Sequence, residues 1–261
     1  MASMRDIRRR IKSVKSTQHI TKAMKMVSAA KLRRSQTTLV AARPYANKIL
    51  QMIGALQDNK AIDHPYLQQK EVQKVCYVVM AADKGLCGGY NSNLLKLAEK
   101  ELAECSYDYD VVAIGRKARE FLSHRNVNMV REYTSIGDNP DFMQAKALCE
   151  ELLALYGTGV YQKLYFIYTD FRSAMAQNPV CKQFLPLQVE ATGKKEKTEE
   201  FIYEPNEEEI LSTLIPSCLE TTVFRYLLEA KASEHGARMT AMSAATDNAV
   251  EIIDNLTLAL N

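Results

Sequence analysis

The feature that most constrains this chain is a long helical stretch at each of its ends. Residues 4–43 contain no proline and no glycine, and at 1.5 Å per residue a helix of that length would extend about 60 Å. The pattern is helical again from residue 207 to the end, and residues 217–260 alone would extend about 66 Å. Two such helices can bury their apolar stripes only against each other or inside a partner. The sequence therefore predicts a rod, which favours a mechanical or assembly role over catalysis.

Both ends carry the alternating three- and four-residue spacing of a coiled-coil seam. In the C-terminal stretch the seam is formed by Met239, Met242, Thr246, Ala249, Ile253, Leu256 and Leu260. In the N-terminal stretch Ile7, Ile11 and Val14 begin the same pattern, which then reaches Gln18, Thr21 and Lys25 and becomes polar. Helical character is expected to continue to about Gln57, with a kink or a new segment at Pro44.

The N-terminal helix carries two further sets of residues outside this seam. Ile20, Met24 and Val27 lie about 100–160° around the helix from it. A second set keeps the seam spacing but is basic, and we call it the basic stripe: Arg8, Lys12, Lys15, His19 and Lys22. In an isolated two-helix rod the extra apolar set would face water, so these residues favour a rod enclosed by other subunits.

Charge is distributed unevenly along the chain. Residues 1–36 carry eleven Lys or Arg residues and one acid, Asp6, whereas the whole chain has a net charge of only +3. A basic arm on an acidic remainder suits an acidic partner, such as nucleic acid, lipid head groups or acidic protein loops. A solvated helix face is the alternative interpretation of the same charges.

The middle of the chain has the pattern of an α/β domain. After a linker at 58–69, short apolar runs predict strands at 75–81, 110–114, 127–132, 164–168, 180–187 and 200–203. Helical patterns lie at 91–105, between 115 and 124, and at 141–156, and residues 91–93 offer N-cap side chains for the first of them. Strands that alternate with helices favour an α/β sandwich with a largely parallel sheet.

Sites of known chemistry are weakly represented. The chain has no G-x-x-x-x-G-K-[ST] motif, and the segment after the first strand, residues 83–89, is not G-x-G-x-x-G. This glycine loop could hold a phosphate or could simply form a tight turn. Cys87 lies within it, but no histidine or acid has the spacing of a nucleophile's partner. The six cysteines are scattered and are expected to be free thiols, and no apolar run is long enough to span a bilayer.

Three segments resemble the γ subunits of F-type ATP synthases, most closely the bacterial ones: residues 21–36, 83–93 and 232–258. The resemblance extends over the whole chain. It implies a shaft helix over 1–57, a Rossmann-like α/β domain without a nucleotide site over 70–204, and a second shaft helix over 207–261, with the two shaft helices wound as an antiparallel coiled coil. It implies a central rotor stalk that couples ion flow through a membrane ring to ATP synthesis or hydrolysis in the αβ hexamer.

The same resemblance implies partners and sites. Catalysis would belong to β subunits, with no catalytic, cofactor or metal residues in this chain, which would lie peripherally at the cytoplasmic face of the bacterial membrane. The residues that would contact β are Arg8, Lys12, Lys15, Ile20, Lys22, Met24 and Lys25. Those of a foot in contact with the ε subunit and the c-ring would be Lys84, Leu86, Tyr90, Tyr203 and Glu204. Family members usually continue about 25 residues further, so a longer native chain is expected.

Two other classes of protein remain as alternatives on the sequence alone. A nucleic-acid-binding coiled coil would place the basic stripe on phosphates, with an affinity that falls steeply with salt, but it leaves Ile20, Met24 and Val27 unexplained. An α/β enzyme acting on a nucleotide would need a phosphate loop that the sequence lacks.

Overall fold

Two long terminal helices dominate the architecture. The computed structural model describes residues 4–59, 64–188 and 207–260. Helix α1 spans Met4–Asn59 and α5 spans Glu207–Leu260. No new helix begins at Pro44, because α1 continues through this proline, as α5 does through Pro216. The lost hydrogen bond is tolerated where the same helix is anchored by the buried side chains of Ile49 and Ile53.

The segments between these helices form a five-stranded sheet with three helices. In chain order they are β1 Lys74–Met80, α2 Tyr90–Glu104, β2 Asp108–Ile114, α3 Arg116–Ser123, β3 Met129–Tyr133, α4 Phe142–Gly157, β4 Lys163–Phe171 and β5 Gln177–Leu185. The strand order is β3-β2-β1-β4-β5; β5 runs antiparallel to β4, and the other neighbours are parallel. We call this unit the body. The strand predicted at 200–203 lies outside the described residues.

Helix starts in the body differ in how they are capped. The prediction that residues 91–93 supply the cap of α2 was wrong: Gly89 is the N-cap, and no side chain caps it. Asn91 lies inside the helix, where its side-chain oxygen accepts a hydrogen bond from the backbone N–H of Ala82. Helix α4 has a full capping box between Asp141 and Gln144, which satisfies two otherwise free backbone donors.

Both faces of the sheet are buried, which explains the continuous apolar run of β1. Cys76, Val78 and Met80 face a core shared with α1, α4 and α5. Val75 and its alternate neighbours face a second core against α2 and α3. A strand covered on both faces needs no alternation of apolar and polar residues. The prediction of a buried strand from this apolar run is therefore confirmed.

Helices α1 and α5 wind around each other beyond the body, and we call this coiled coil the shaft. Its antiparallel direction follows from two cross-links, Thr21 to Thr246 at 2.8 Å and Lys25 to Ser243 at 2.9 Å. The predicted apolar seam residues are all buried or half-buried, including Ile7, Ile11, Val14, Met239, Met242, Ile253, Leu256 and Leu260. The N-terminal seam does not pass through Lys25, which is exposed; Ser28 is the buried residue one turn further on.

Candidate functional site: the shaft surface and its collar

The basic stripe lies on the outside of the shaft. All five of its side chains are exposed. Among the described residues, Arg8, Lys12, Lys15 and Lys22 form no ion pair, whereas the neighbouring Arg9 pairs with Asp6 at 2.9 Å. Exposed charges of one sign repel each other and are stabilised by an oppositely charged surface. The stripe is therefore available to an acidic partner along its whole length.

Large apolar side chains also face solvent on the shaft. Ile20 is 58% exposed and Val27 is 52% exposed on α1, and Leu258 is 75% exposed on α5. Met24 differs from the expectation that it is exposed, because it is half-buried near the seam. Along this part of α1 the less exposed positions are Thr21, Met24 and Ser28, whereas Lys25 is exposed.

The glycine loop, residues 83–89, lies against α5 and has one exposed apolar tip. Leu86 is 65% exposed, with a positive φ of 59°, and Lys84 is also exposed. Tyr90 was expected to contact a partner but is only 2% exposed, and its hydroxyl donates to the carbonyl of Ala230 at 3.2 Å. Tyr90 is therefore a core residue that fastens α2 to α5.

Lys84 and Leu86, two of the residues expected in the foot, lie close to where the shaft leaves the body. The guanidinium of Arg238 donates to the carbonyl of Gly85 at 3.2 Å, so the glycine loop adjoins α5 near residue 238. Helix α5 begins at Glu207, and a helix segment from there to Arg238 is about 45 Å long. Tyr203 and Glu204 lie outside the described residues. Lys84 and Leu86 are thus on the shaft side of the body, far from the start of α5.

The position where a nucleotide binds in related sheets is filled by the protein itself. In open parallel sheets, ligands bind at the carboxyl ends of the strands. Between the carboxyl ends of β1 and β2 this crevice contains Leu227, Ala230 and Glu234 of α5, and a cavity of only about 10 Å³ remains there, enough for a single water molecule. A separate, open cavity of about 470 Å³ lies between the end of β3 and α4. The carboxylate of Asp83 accepts hydrogen bonds from the backbone N–H groups of Arg116 and Ser135, so it also serves the fold.

Cys87 is a structural thiol. It is 2% exposed, and burial raises the pKa of its thiol above the ordinary value. The reactive thiolate is therefore disfavoured at neutral pH. The expectation of free thiols agrees with the structure, in which all six cysteines are unpaired.

Three loops at the carboxyl edge of the sheet surround α5, and we call them the collar. They are the glycine loop, the β3–α4 loop, which carries Asp138, and the β4–β5 turn, residues 172–176. The glycine loop is held by Arg238, and the β4–β5 turn reaches Gly236, where an added Cβ would lie 3.1 Å from the Cα of Ala174. The β3–α4 loop is tied to α1, since Lys31 donates to Asp138 at 2.6 Å.

A cluster of buried charges on α5 faces this collar. Glu234 accepts from Arg238 at 2.9 Å and from Lys231 at 3.2 Å, one donor on each carboxylate oxygen. The Nε2 atom of His235 is buried and lies 3.9 Å from Asp138 Oδ1. Burial lowers the pKa of His235, so the ring is neutral at neutral pH. The hydrogen bond from Lys31 lowers the pKa of Asp138, which stays ionised.

Asp138, Glu234 and His235 lie close enough together for a metal ion, but their chemistry does not fit one. Arg238 can only donate, so the contact of 3.4 Å to His235 Nδ1 makes that atom the acceptor and places the ring proton on Nε2. A protonated nitrogen offers no lone pair to a metal. Both oxygens of Glu234 are engaged by cations, and those cations would repel a metal ion. The cluster is therefore an ion-pair network.

Sequence reasoning missed the residues of this network. Lys31 and Asp138 are 107 positions apart, and Gly85 and Arg238 are 153 apart. The only local signal was a set of closely spaced titratable residues inside an otherwise small and apolar stretch of helix, at positions 231, 234, 235 and 238.

The family profile and the curated sequences similar to this chain agree on one family. A family profile described as ATP synthase matches residues 3–261. The chain is 48% identical over 262 residues to the ATP synthase gamma chain of Desulfitobacterium hafniense, and 49% identical over 265 residues to that of Moorella thermoacetica. Each alignment covers 100% of this chain and 92% of the relative.

Solved structures share the fold. A chain from the central stalk and c-ring structure of Tetrahymena thermophila mitochondrial ATP synthase has a TM-score of 0.64 and 24% identity, and the match covers 87% of this chain and 99% of that one. A chain from the rotor of the Euglena gracilis enzyme has a TM-score of 0.64 and 17% identity, with coverages of 99% and 96%. Within the described residues, no helix combines the length and hydropathy needed to cross a membrane.

Proposed function

Because this chain belongs to the ATP synthase gamma-chain family, we infer that its shaft turns inside the αβ hexamer while its body is driven by the membrane ring. The protein is the central rotor stalk of an F-type ATP synthase, and it couples ion flow to ATP synthesis or hydrolysis as a peripheral member of a membrane complex. It is a stalk subunit. We propose that the catalytic residues lie on the β subunits and that the body faces the cytoplasmic side of the membrane.

The observation that carries this proposal is the surface of the shaft. The basic stripe is unpaired among the described residues, and Ile20 and Val27 stay exposed beside it. Exposed apolar residues next to unpaired charges are typical of a surface that a partner covers. The stripe would attract acidic loops of β through weak, exposed charge interactions. Fixed bidentate ion pairs, by contrast, would stop rotation.

We propose that Arg8, Lys12, Lys15, Ile20, Lys22, Met24 and Lys25 face the β subunits. Met24 is half-buried, so it takes part through its exposed edge, while Ile20 offers the larger apolar surface. Lys25 is tied to Ser243 and is the least free of the cations. For the foot, we propose contacts of Tyr203 and Glu204 with the ε subunit and the c-ring. Lys84 and Leu86 are not included, because they lie on the shaft side of the body.

Charge reversal in the assembled complex tests this function. Three stripe residues are changed to Glu: Lys12, Lys15 and Lys22. We expect the complex to assemble, because exposed charges contribute little to folding, and we expect ATP synthesis per translocated ion to fall. The matched control reverses three exposed cations of the body: Lys96, Lys100 and Arg131.

Coupling is measured as ATP synthesis driven by an imposed ion gradient in reconstituted vesicles. The proposal is contradicted if the stripe variant assembles and couples as well as the control variant. A nucleic-acid function would instead be revealed by duplex binding that falls steeply between low and physiological salt.

A further inference from the structure

We propose that the collar is the clamp that transmits torque between the body and the shaft, and that Lys31, Asp138, Glu234 and Arg238 are its positioning residues. This inference rests on the proposed rotor function. It assigns a task to the carboxyl edge of the sheet, where other parallel sheets bind ligands. In this protein the occupant of that edge is the protein's own helix α5.

The collar lies where the shaft leaves the body. Below it, α1 and α5 pack on the sheet through apolar side chains such as Ile49 and Leu219. Beyond it, within the described parts of the chain, the two helices pack on each other and are cross-linked by Thr21 and Thr246. A rod that is loaded at its free end and held at its base bears its largest bending load at the point of exit. That level is the one at which residues 234–241 meet three loops.

Directional bonds suit this position better than apolar packing does. The hydrophobic effect resists separation of two surfaces but is non-directional, so it opposes twisting only through side-chain interlocking. Hydrogen-bonded ion pairs fix both distance and angle. Lys31 joins α1 to the β3–α4 loop, Arg238 joins α5 to the glycine loop, and Glu234 holds the guanidinium of Arg238 in place.

The energetic cost of the network argues for a positioning role. Glu234 is 4% exposed and Arg238 is 8% exposed. Burying charges costs solvation free energy, and buried ion pairs are often no better for stability than apolar residues of similar size. The network also leaves His235 Nε2 without a hydrogen bond. Such a cluster is explained if it fixes the orientation of α5 in the collar.

The first test changes the pair that joins α1 to the body. In the assembled complex, Asp138→Asn and Lys31→Met each remove the ion pair, and the double swap Lys31→Asp with Asp138→Lys restores it with reversed polarity. We expect each single variant to lose part of its ATP-driven ion pumping while ATP hydrolysis is retained. The continuous helices α1 and α5 still turn with the body, but they bend and twist more at the collar when the shaft is loaded. The swap should recover pumping.

A matched control and a stability measurement separate torque from folding. The control is Lys117→Gln, which removes the exposed pair of Lys117 with Glu120 at 2.6 Å on α3. Thermal unfolding of the purified chain shows whether a variant is merely destabilised, and a swap that restores stability but not pumping counts against the clamp. Normal pumping per ATP in both single variants overturns the inference.

The outcomes also distinguish the clamp from the rotor function. If the stripe variant loses coupling while the Asp138 and Lys31 variants keep it, the rotor function stands and the clamp is wrong. If neither set affects coupling, both the assignment of the stripe to β and the clamp are wrong, and the family membership of the chain is unaffected.

Discussion

Asp110 illustrates how one carboxylate is satisfied at the start of a strand. Asp110 is 4% exposed and accepts hydrogen bonds from Tyr161 at 2.5 Å and from Asn128 at 2.8 Å. It also forms an ion pair with Lys74 at 2.8 Å. Burial by itself would raise the pKa of Asp110, but the three donors outweigh it and the pKa is lowered. The charged form is therefore the stabilising one.

The stability of the fold should depend on this carboxylate in acid. Because the folded pKa lies below the unfolded value of about 3.9, the contribution is complete above that pH and is lost as the pH falls through the folded pKa. We expect Asp110→Asn to lower the free energy of unfolding at neutral pH and to flatten its decline in acid. Urea unfolding measured from pH 6 downwards checks this, with the exposed Asp108→Asn as control. An unchanged acid slope would contradict it.

Gly115 is required for two reasons at the end of β2. Its φ is +88°, and an added Cβ would lie 2.1 Å from the carbonyl oxygen of Ala81, a backbone atom that cannot move aside. Gly159 has a similar φ of +78° but no atom within 4 Å of the same position. The two glycines therefore separate backbone strain from steric overlap.

We expect Gly159→Ala to cost about 1 kcal/mol, the strain of a left-handed residue. Gly115→Ala should cost roughly 3 kcal/mol or more, because the overlap adds to the same strain. Chemical denaturation of both variants gives the comparison. Equal losses in the two would show that β1 and β2 can separate to admit the methyl group.

Among the helices, α5 has a glycine in its middle, Gly236, where a residue of higher helix propensity would be expected. A glycine inside a helix costs up to about 1 kcal/mol relative to alanine. Here the missing side chain allows the β4–β5 turn to approach the helix. The hydroxyl of Thr240, one turn further along α5, lies 3.5 Å from the carbonyl oxygen of Ala174 in that turn. The glycine is thus explained by the collar.

Substitution at Gly236 should depend steeply on side-chain size. For Gly236→Ala we expect a change within about 1 kcal/mol, since the gain in helix propensity offsets a small shift of the turn. Gly236→Val should destabilise by roughly 2 kcal/mol or more, because its methyl groups meet the backbone of Ala174. The control is Ala244→Val at an exposed position of the same helix. Thermal unfolding of all three variants gives the comparison. A loss of stability in Gly236→Val no larger than that in the control would count against this account.

At the scale of the whole molecule, the sheet has exchanged a ligand site for a helix. Leu227, Ala230 and Glu234 occupy the crevice, and Tyr90 ties α2 to the same helix. A nucleotide could enter this crevice only if α5 left the sheet, which would expose much of the core that α1 and α5 share with the sheet.

The purified chain should therefore bind ATP, ADP or NAD no more tightly than about the millimolar range, which corresponds to roughly −4 kcal/mol. Isothermal titration calorimetry measures this directly. A micromolar dissociation constant would revive the interpretation of the glycine loop as a phosphate site. Substitution of Ala230 by a larger residue would then show whether the nucleotide binds in the crevice.

Local sequence patterns predicted most of the helices and strands and the buried faces of several of them. The spacing from Met239 to Leu260 predicted the seam, and the apolar run of β1 predicted a strand buried on both sides. These features follow from periods of 3.6 and 2 residues, which are local properties of the chain. The same local signal placed the basic stripe on an exposed face.

The loops that meet α5 could not be predicted from local patterns. Tyr90 is buried, Met24 is half-buried, and Asp138 pairs with Lys31, because each of these environments depends on residues far away in the sequence. Periodicity assigns a side chain to a face of its own element, but it does not say which element covers that face. The collar has no local pattern, because its loops and α5 come together only when the sheet folds and brings its carboxyl edge to the helix.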